Sequence, residues 1–236
     1  HHLSMHIATV ETTPNIALVK YWGKRDEKLM LPMNSSISVT LSDEVKTRTT
    51  VMFSDKFRKD EVYLDEKQVA GKELGNVVRI LDIVRKKARV RLRAKVVSMN
   101  YFPTAAGLAS SASGFAALAC ASTKALKLRL SRRELSILAR LGSGSASRSV
   151  EGGFVEWLKG KRNDGQDSYG RRLAGQKHWP ELRNVIAIVN REKKKVASRA
   201  GMKTTVETSS LYGCRLGGIE KTLATVRKSV KKRDSD

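Results

Sequence analysis

The chain has 236 residues, 40% of them hydrophobic and 29% charged, a globular composition sufficient for one large core or two small lobes. No apolar run approaches the ~18 residues of a membrane span, and two distant cysteines, Cys120 and Cys214, with only His6 and His178 outside the start, exclude a disulfide framework and a zinc enzyme. Lysine and arginine number 46 against 23 acidic residues, and this net +23 points to nucleic acid, to anionic small substrates, or to an acidic part of the natural chain lying elsewhere.

Residues 1–4, His-His-Leu-Ser, read as an expression-tag remnant ahead of Met5. Residues 7–19 mix Ile, Val, Thr and Ala around Pro14, as a strand and a turn would. Ser36 to Leu41 alternates with period two and predicts a half-buried strand. Lys46 to Phe53 and Val62 to Leu64 predict two more. Leu74, Val77, Val78, Leu81 and Val84 recur at helical spacing. From Arg85 to Asn100, Val90, Leu92, Ala94 and Val96 alternate with Arg89, Arg91, Arg93 and Lys95. That pattern predicts a strand whose basic face is either a polyanion-binding ribbon or a plain solvated face. Ser110 to Leu128 predicts an Ala-rich helix. Ser131 and Glu134 have capping-box spacing at the start of the next helix, with Leu135, Leu138 and Leu141 as its buried stripe and Gly142 at its end. Val185 to Val189 predicts a short buried strand, and Ile219, Leu223, Val226 and Val230 a helix with a basic outer face. The order suggests an α+β two-layer fold.

Four stretches carry candidate chemistry. Residues 103–112, Pro-Thr-Ala-Ala-Gly-Leu-Ala-Ser-Ser-Ala, follow a strand and open a helix. Small residues let backbone N–H groups approach a phosphate chain, and a helix N-terminus adds partial positive charge. The same residues would also suit tight helix packing. No Gly-Lys-Ser/Thr follows, so this is not a Walker A loop. Residues 142–149, Gly-Ser-Gly-Ser-Ala-Ser-Arg-Ser, place hydroxyls before Arg148, whose planar fork suits a carboxylate or phosphate; a helix-loop-helix turn with a surface arginine is the plainer reading. Lys20-Tyr21-Trp22-Gly23-Lys24 could wall and neutralise an anion, or be a core tryptophan between solvated lysines. The basic run Lys193 to Met202 reads as a solvated loop.

Together these motifs carry a resemblance. Pro103-x-x-x-Gly107-Leu108-x-Ser110-Ser111-Ala112 resembles the ATP-binding motif of the GHMP small-molecule kinase superfamily. Asn15 to Asp26, Asn34 to Thr40, Phe102 to Ser111 and Gly142 to Ser149 resemble one branch of it, the mevalonate diphosphate decarboxylase family, over about residues 7 to 211. Gly152-Gly153, Trp179-Pro180 and Gly201-Met202 fit the same pattern.

The resemblance implies a two-lobe GHMP kinase-like fold, with residues 5–184 as the N-terminal lobe and 185–236 as the start of a C-terminal lobe. It implies ATP-dependent conversion of mevalonate 5-diphosphate to isopentenyl diphosphate and carbon dioxide, with magnesium, for isoprenoid and sterol precursors. Lys20 is then expected beside the reacting hydroxyl and Arg148 at the departing carboxylate. Tyr21, Lys24, Ser198 and Arg199 are expected as diphosphate and substrate contacts, and Ser143 and Ser145 as active-site hydroxyls. Pro103, Ala106, Gly107, Leu108, Ser110 and Ser111 are expected to bind ATP, with Ser111 also on magnesium. A homodimer in the cytoplasm, without membrane or nucleic-acid partners, is the corresponding expectation. Departures are Ser147, where relatives often carry Cys, and Val150-Glu151 in place of a bulky apolar-aromatic pair. The family also continues into a Gly-rich loop, Phe-Asp-Ala-Gly-Pro-Asn, whose Asp is thought to act on the 3-hydroxyl. No such segment stands in these residues, so they alone are expected not to decarboxylate. A GHMP kinase that phosphorylates mevalonate or its phosphates without decarboxylation is the alternative enzyme; a basic nucleic-acid-binding module is the alternative class.

Overall fold

The structure is a computed structural model, and it describes residues 5–102, 110–185 and 198–234. Its strands are β1 (His6–Thr12), β2 (Asn15–Val19), β3 (Lys24–Asp26), β4 (Leu31–Pro32), β5 (Ser36–Thr40), β6 (Thr47–Ser54), β7 (Glu61–Leu64), β8 (Lys67–Gln68), β9 (Arg93–Asn100), β10 (Phe154–Trp157) and β11 (Gly170–Ala174). Its helices are α1 (Gly71–Ala88), α2 (Ser110–Ala125), α3 (Arg132–Gly142), α4 (Ala146–Ser149), α5 (Ser198–Thr208) and α6 (Tyr212–Lys232). This is the α+β, helix-on-sheet architecture expected.

One sheet has the order β1-β6-β9-β7-β8 and is antiparallel except for the β7–β9 pair. Its inner face carries Val51, Phe53, Ala94 and Val96. Against it lie Ile80, Leu81 and Val84 of α1 and the alanines of α2, a helix whose small side chains let it approach the strands closely. A second sheet, β11-β10-β5-β2, is antiparallel throughout. Here Leu223 of α6 packs on Val19 and Ile37. Glu156 of β10, fully buried, accepts from Arg227 of α6 at 2.6 Å and from Arg171 at 3.0 Å. The short helix α4 packs against both α2 and α3 and also touches the second sheet, so it sits where the two layers meet.

The sequence-expected strands before residue 65 form, as do the capping box at Ser131 and the C-terminal stripe of α6, but β5, expected to be half-buried, is buried on both faces from Ser36 to Ser38. The stretch from Arg85 does not form as read. Helix α1 continues to Ala88, Arg89 turns left-handed with φ 56°, and the strand starts only at Arg93. Arg85 is drawn into the helix by its pairs with Asp60 and Asp82 at 2.8 and 2.5 Å, and basic residues favour a helix's last turn. Helix α2 likewise ends at Ala125, with Lys127 left-handed. Val185 is 90% exposed and outside any strand; 186–189 lie outside the described residues. Cys120 and Cys214 are free thiols. No helix among the described residues is long and apolar enough to cross a membrane.

Candidate active site

The loop from Gly142 to Ser149 builds the centre of the site. Gly142 closes α3 and leaves the space that the Phe115 ring of α2 fills. Gly144 faces the edge of the Trp157 ring, and a Cβ there would stand 2.6 Å from the ring and 3.2 Å from that of Tyr21. Only a residue without a side chain lets this turn approach so closely. The turn then enters α4, which presents Arg148.

Arg148 is 3% exposed. Its Nη1 donates to Ser36 Oγ at 2.5 Å, and its Nε to Ser38 Oγ at 3.0 Å and Asn15 Oδ1 at 3.2 Å. The period of two along β5 puts both serines on the face toward α4. Asn15 in turn donates to Ser149 Oγ at 2.7 Å and to the Ser145 carbonyl at 3.1 Å, which fixes its orientation. The guanidinium lies 5.9 Å from the centre of the Trp157 ring, and Tyr21 meets that ring edge-on at 4.7 Å. Burial pushes the Arg148 pKa down to about 10, which still leaves it protonated at neutral pH. None of its partners among the described residues is a carboxylate. A buried cation held by hydroxyls, an amide and aromatic faces has lost solvation without gaining a counter-charge, and it is therefore a ready receptor for an anion.

Three hydroxyls run from the turn before α4 to the start of α2. Ser145 Oγ is 3.4 Å from Ser143 Oγ, which is 3.3 Å from Ser111 Oγ. Ser111 is in the first turn of α2, where unpaired backbone N–H groups concentrate positive potential. Beside Ser110 and Ser111 a cavity of about 140 Å³ opens between α1, α2 and the first sheet. Leu64, Val69, Val77 and Leu118 give it apolar walls, and Glu73 and Asn100 add polar groups.

The loop from Lys20 to Lys24 closes another side. Tyr21 reaches the Trp157 cluster, whereas Lys20 is exposed, with its carbonyl accepting from Asn34 Nδ2 at 3.1 Å. The Lys24 side chain is 3% exposed and paired with Glu27 at 2.5 Å.

The structure thus brings together Arg148, Tyr21, Ser143, Ser145 and Ser111. Pro103, Ala106, Gly107 and Leu108 lie outside the described residues. Ser198 and Arg199 open α5, and their side chains also lie outside the described part. The Ser147 departure is absorbed locally: its hydroxyl donates to the Gly144 carbonyl at 2.7 Å. Val150 is buried in the core, and Glu151 pairs with Arg172 at 2.6 Å. Asn15, Ser36 and Ser38 were legible only as parts of the Asn15–Asp26 and Asn34–Thr40 stretches, with no role attached; Trp157 and the cavity by α2 had no local signal.

Residues 12–170 match the model of the diphosphomevalonate decarboxylase-like N-terminal domain, and residues 184–236 that of the mevalonate 5-diphosphate decarboxylase C-terminal domain. The diphosphomevalonate decarboxylase of Candida albicans is 45% identical over 91% of this chain and 62% of its own length; the human enzyme is 43% identical over 93% and 58%. The crystal structure of mevalonate diphosphate decarboxylase from Staphylococcus aureus superposes with a TM-score of 0.89 at 43% identity, covering 98% of this chain and 69% of that one. A structure described as MDDEF in complex with MVAPP, AMPPCP and magnesium gives 0.87 at 44% identity, covering 98% and 70%. The chain spans about three fifths of the length of these curated relatives. From its match across both domain descriptions and along nearly its whole length, the chain belongs to the diphosphomevalonate decarboxylase family.

Proposed function

We propose that this chain carries the nucleotide- and substrate-binding face of an enzyme that uses ATP and magnesium to convert mevalonate 5-diphosphate into isopentenyl diphosphate, carbon dioxide, ADP and phosphate. The observation that carries the reading is Arg148, a buried cation with no carboxylate partner among the described residues, on α4, whose preceding turn ends a row of hydroxyls that begins at the N-terminus of α2.

In this reading the 3-hydroxyl attacks the γ-phosphorus of ATP, the bond from that phosphorus to the β,γ-bridging oxygen breaks with departure of ADP, the hydroxyl proton passes to water, and the tertiary oxygen becomes part of a phosphate, a good leaving group. Phosphate then departs with the C3–O electron pair. The C1–C2 bond pair moves to form the C2=C3 double bond as carbon dioxide leaves. Arg148 holds the substrate carboxylate through a paired contact, so that the bond to be broken is aligned with the departing phosphate. Ser143 and Ser145 hydrogen-bond the substrate between carboxylate and phosphate, and Tyr21 and Lys24, with Ser198 and Arg199, take its diphosphate. Lys20 stands at the reacting hydroxyl. Lys24 would exchange Glu27, which is exposed, for the more highly charged diphosphate.

The nucleotide phosphates would lie on residues 103–109 and the start of α2, with Pro103, Ala106, Gly107, Leu108, Ser110 and Ser111 as the contacts. The cavity lined by Leu64, Val69 and Leu118 suits the base. Among the described residues no group of three acidic, histidine or cysteine side chains could hold a metal. The site therefore fits a magnesium ion carried mainly by nucleotide phosphates and water, with the Ser111 hydroxyl as its protein ligand. Bound there, the ion would neutralise charge on the phosphates.

A lobe boundary at residues 184/185 belongs to the same reading and is supported by family descriptions that end at 170 and resume at 184. Assembly as a homodimer rests on the family resemblance, and action in the cytoplasm is a default assignment. The test is product analysis of the complete gene product with ATP, magnesium and mevalonate 5-diphosphate: carbon dioxide and isopentenyl diphosphate are expected. A stable phosphorylated acid would instead assign a kinase that stops after phosphoryl transfer.

A further inference from the structure

Helix α6 lies in the segment that matches the C-terminal domain description, yet its first turn grips the Lys20–Lys24 loop. Arg215 Nη2 donates to the Lys20 carbonyl at 2.7 Å, and Arg215 Nη1 donates to Asn34 Oδ1 at 3.2 Å. Asn34, itself buried, donates from Nδ2 to the same Lys20 carbonyl at 3.1 Å and to the Ser35 carbonyl at 2.6 Å. Both acceptor positions of the Lys20 carbonyl are thereby used. One turn earlier, the buried Tyr212 donates its hydroxyl to the Trp22 carbonyl at 2.7 Å. Gly23 follows with φ +88°, and its Cβ position is filled by the Tyr212 ring and hydroxyl and by Val206 of α5. Its carbonyl accepts from the Met33 N–H at 3.1 Å. Three consecutive contacts thus set the backbone at Lys20, Trp22 and Gly23, and two of them come from α6.

The helix is a firm support for this grip. Leu223 packs on Val19, the residue just before Lys20, and on Ile37, which lies between the two serines that hold Arg148. Arg227 is locked to the buried Glu156, and the Val230 carbonyl accepts from His178 Nε2 at 2.7 Å. One rod is therefore referenced both to the strands beneath Arg148 and to the loop carrying Lys20, Tyr21 and Lys24.

We propose that Arg215 and Tyr212 are positioning residues. They fix the backbone of the Lys20–Lys24 loop, so helix α6 sets affinity for the diphosphate substrate without touching it. The inference rests on the assignment of that loop to the diphosphate substrate given above. Neither residue faces the cavity by α2, so nucleotide binding should be indifferent to both.

The test uses Arg215→Met, Arg215→Lys and Tyr212→Phe in the complete gene product. Hydrogen exchange reads the grip directly: in Arg215→Met the amides of residues 20–24 should exchange about tenfold faster while those of α2 and β9 stay unchanged. Kinetics then reads its use. The KM for mevalonate 5-diphosphate should rise about tenfold in Arg215→Met, on the order expected for loss of a charge-assisted hydrogen bond, with the KM for ATP within about twofold of wild type. Arg215→Lys, which keeps one donor to the Lys20 carbonyl, should recover part of the loss. Tyr212→Phe, which keeps the ring under Gly23, should show the same selectivity with a smaller rise. Unchanged exchange in both Arg215→Met and Tyr212→Phe overturns the grip. Faster exchange without a KM change, or both KM values rising together as thermal stability falls, overturns the positioning role. A wild-type protein that takes up ATP but no mevalonate diphosphate would defeat the functional reading itself, and the proposed use of the grip with it, while faster exchange in the variants would still establish the grip.

Discussion

A guanidinium placed among Ser36, Ser38 and Asn15 gives up its hydration for partners that carry no charge. Unpaired buried charge opposes folding, and a cation held this way gains when an anion reaches it. Its shape matters as much as its charge. Nε and Nη1 are taken up by β5 and Asn15, which leaves the fork aimed by three hydrogen bonds, whereas an ammonium at the same place would be a point charge able to swing. Arg148→Lys should therefore keep the fold and lower kcat for mevalonate diphosphate more than tenfold, about 1.4 kcal/mol or more of transition-state stabilisation. Steady-state kinetics beside a thermal melt checks this; a folded variant with wild-type kcat and KM would remove Arg148 from the reacting centre. At this scale the sequence was informative about which residues carry chemistry and much less about what holds them. The alternation of Ser36-Ile37-Ser38-Val39 reads as one face in and one face out, but Ser36, Ile37 and Ser38 are all fully buried. The serine face is covered because α4 brings a cation to it, a tertiary fact with no local period.

Secondary structure was legible where a local stop signal existed. Ser131 accepts from the Glu134 N–H at 3.2 Å, while the Glu134 carboxylate accepts from the Ser131 N–H and hydroxyl at 2.8 Å each, and the spacing alone foretold it. Ser131→Ala should cost about 1 kcal/mol in denaturant unfolding at neutral pH. Hydrogen bonds from the Ser131 backbone and hydroxyl hold the Glu134 pKa below its ordinary 4.5. A lowered acid pKa means the stabilisation is present above 4.5 and is lost as pH falls, so the Ser131→Ala deficit should shrink in acid. A deficit that stays constant with pH would show that the bond from the Ser131 hydroxyl to the Glu134 carboxylate contributes nothing. The end of α1 differs from the expectation because the alternation that begins at Arg89 does not reach back over Arg85 to Ala88, whose basic residues suit a helix's last turn, and the ion pairs of Arg85 with Asp60 and Asp82 hold that turn in place. At Gly144 the element and the site coincide. A methyl 2.6 Å from the fully buried Trp157 ring forces either the ring or the Ser143–Ser145 turn to move. Gly144→Ala should destabilise by roughly 1–3 kcal/mol, as overpacked sites do, and should impair turnover through displaced hydroxyls. Full stability and full activity in that variant would mean that the turn has slack the geometry denies.

On the scale of the whole molecule, composition alone left the net charge of +23 open to nucleic acid. What decided the family was the joint spacing of four short motifs, each of them ambiguous alone. The fold then explains why they must occur together. Strand β2 delivers the Lys20–Lys24 loop, β5 delivers Ser36 and Ser38, α2 delivers Ser110 and Ser111, and α4 delivers Arg148, all converging where the two layers meet. The contribution of α6, which closes this arrangement through Arg215 and Tyr212, was not legible, because its stripe announces only a buried face. The measurement that bears most directly on the account is the stoichiometry of the reaction run by the complete gene product with ATP, magnesium and mevalonate 5-diphosphate labelled in its carboxylate. The account predicts one labelled carbon dioxide released for each ADP formed, with unlabelled isopentenyl diphosphate as the organic product. ADP formed while the label stays in a phosphorylated acid, or neither product appearing with the folded protein, would contradict it.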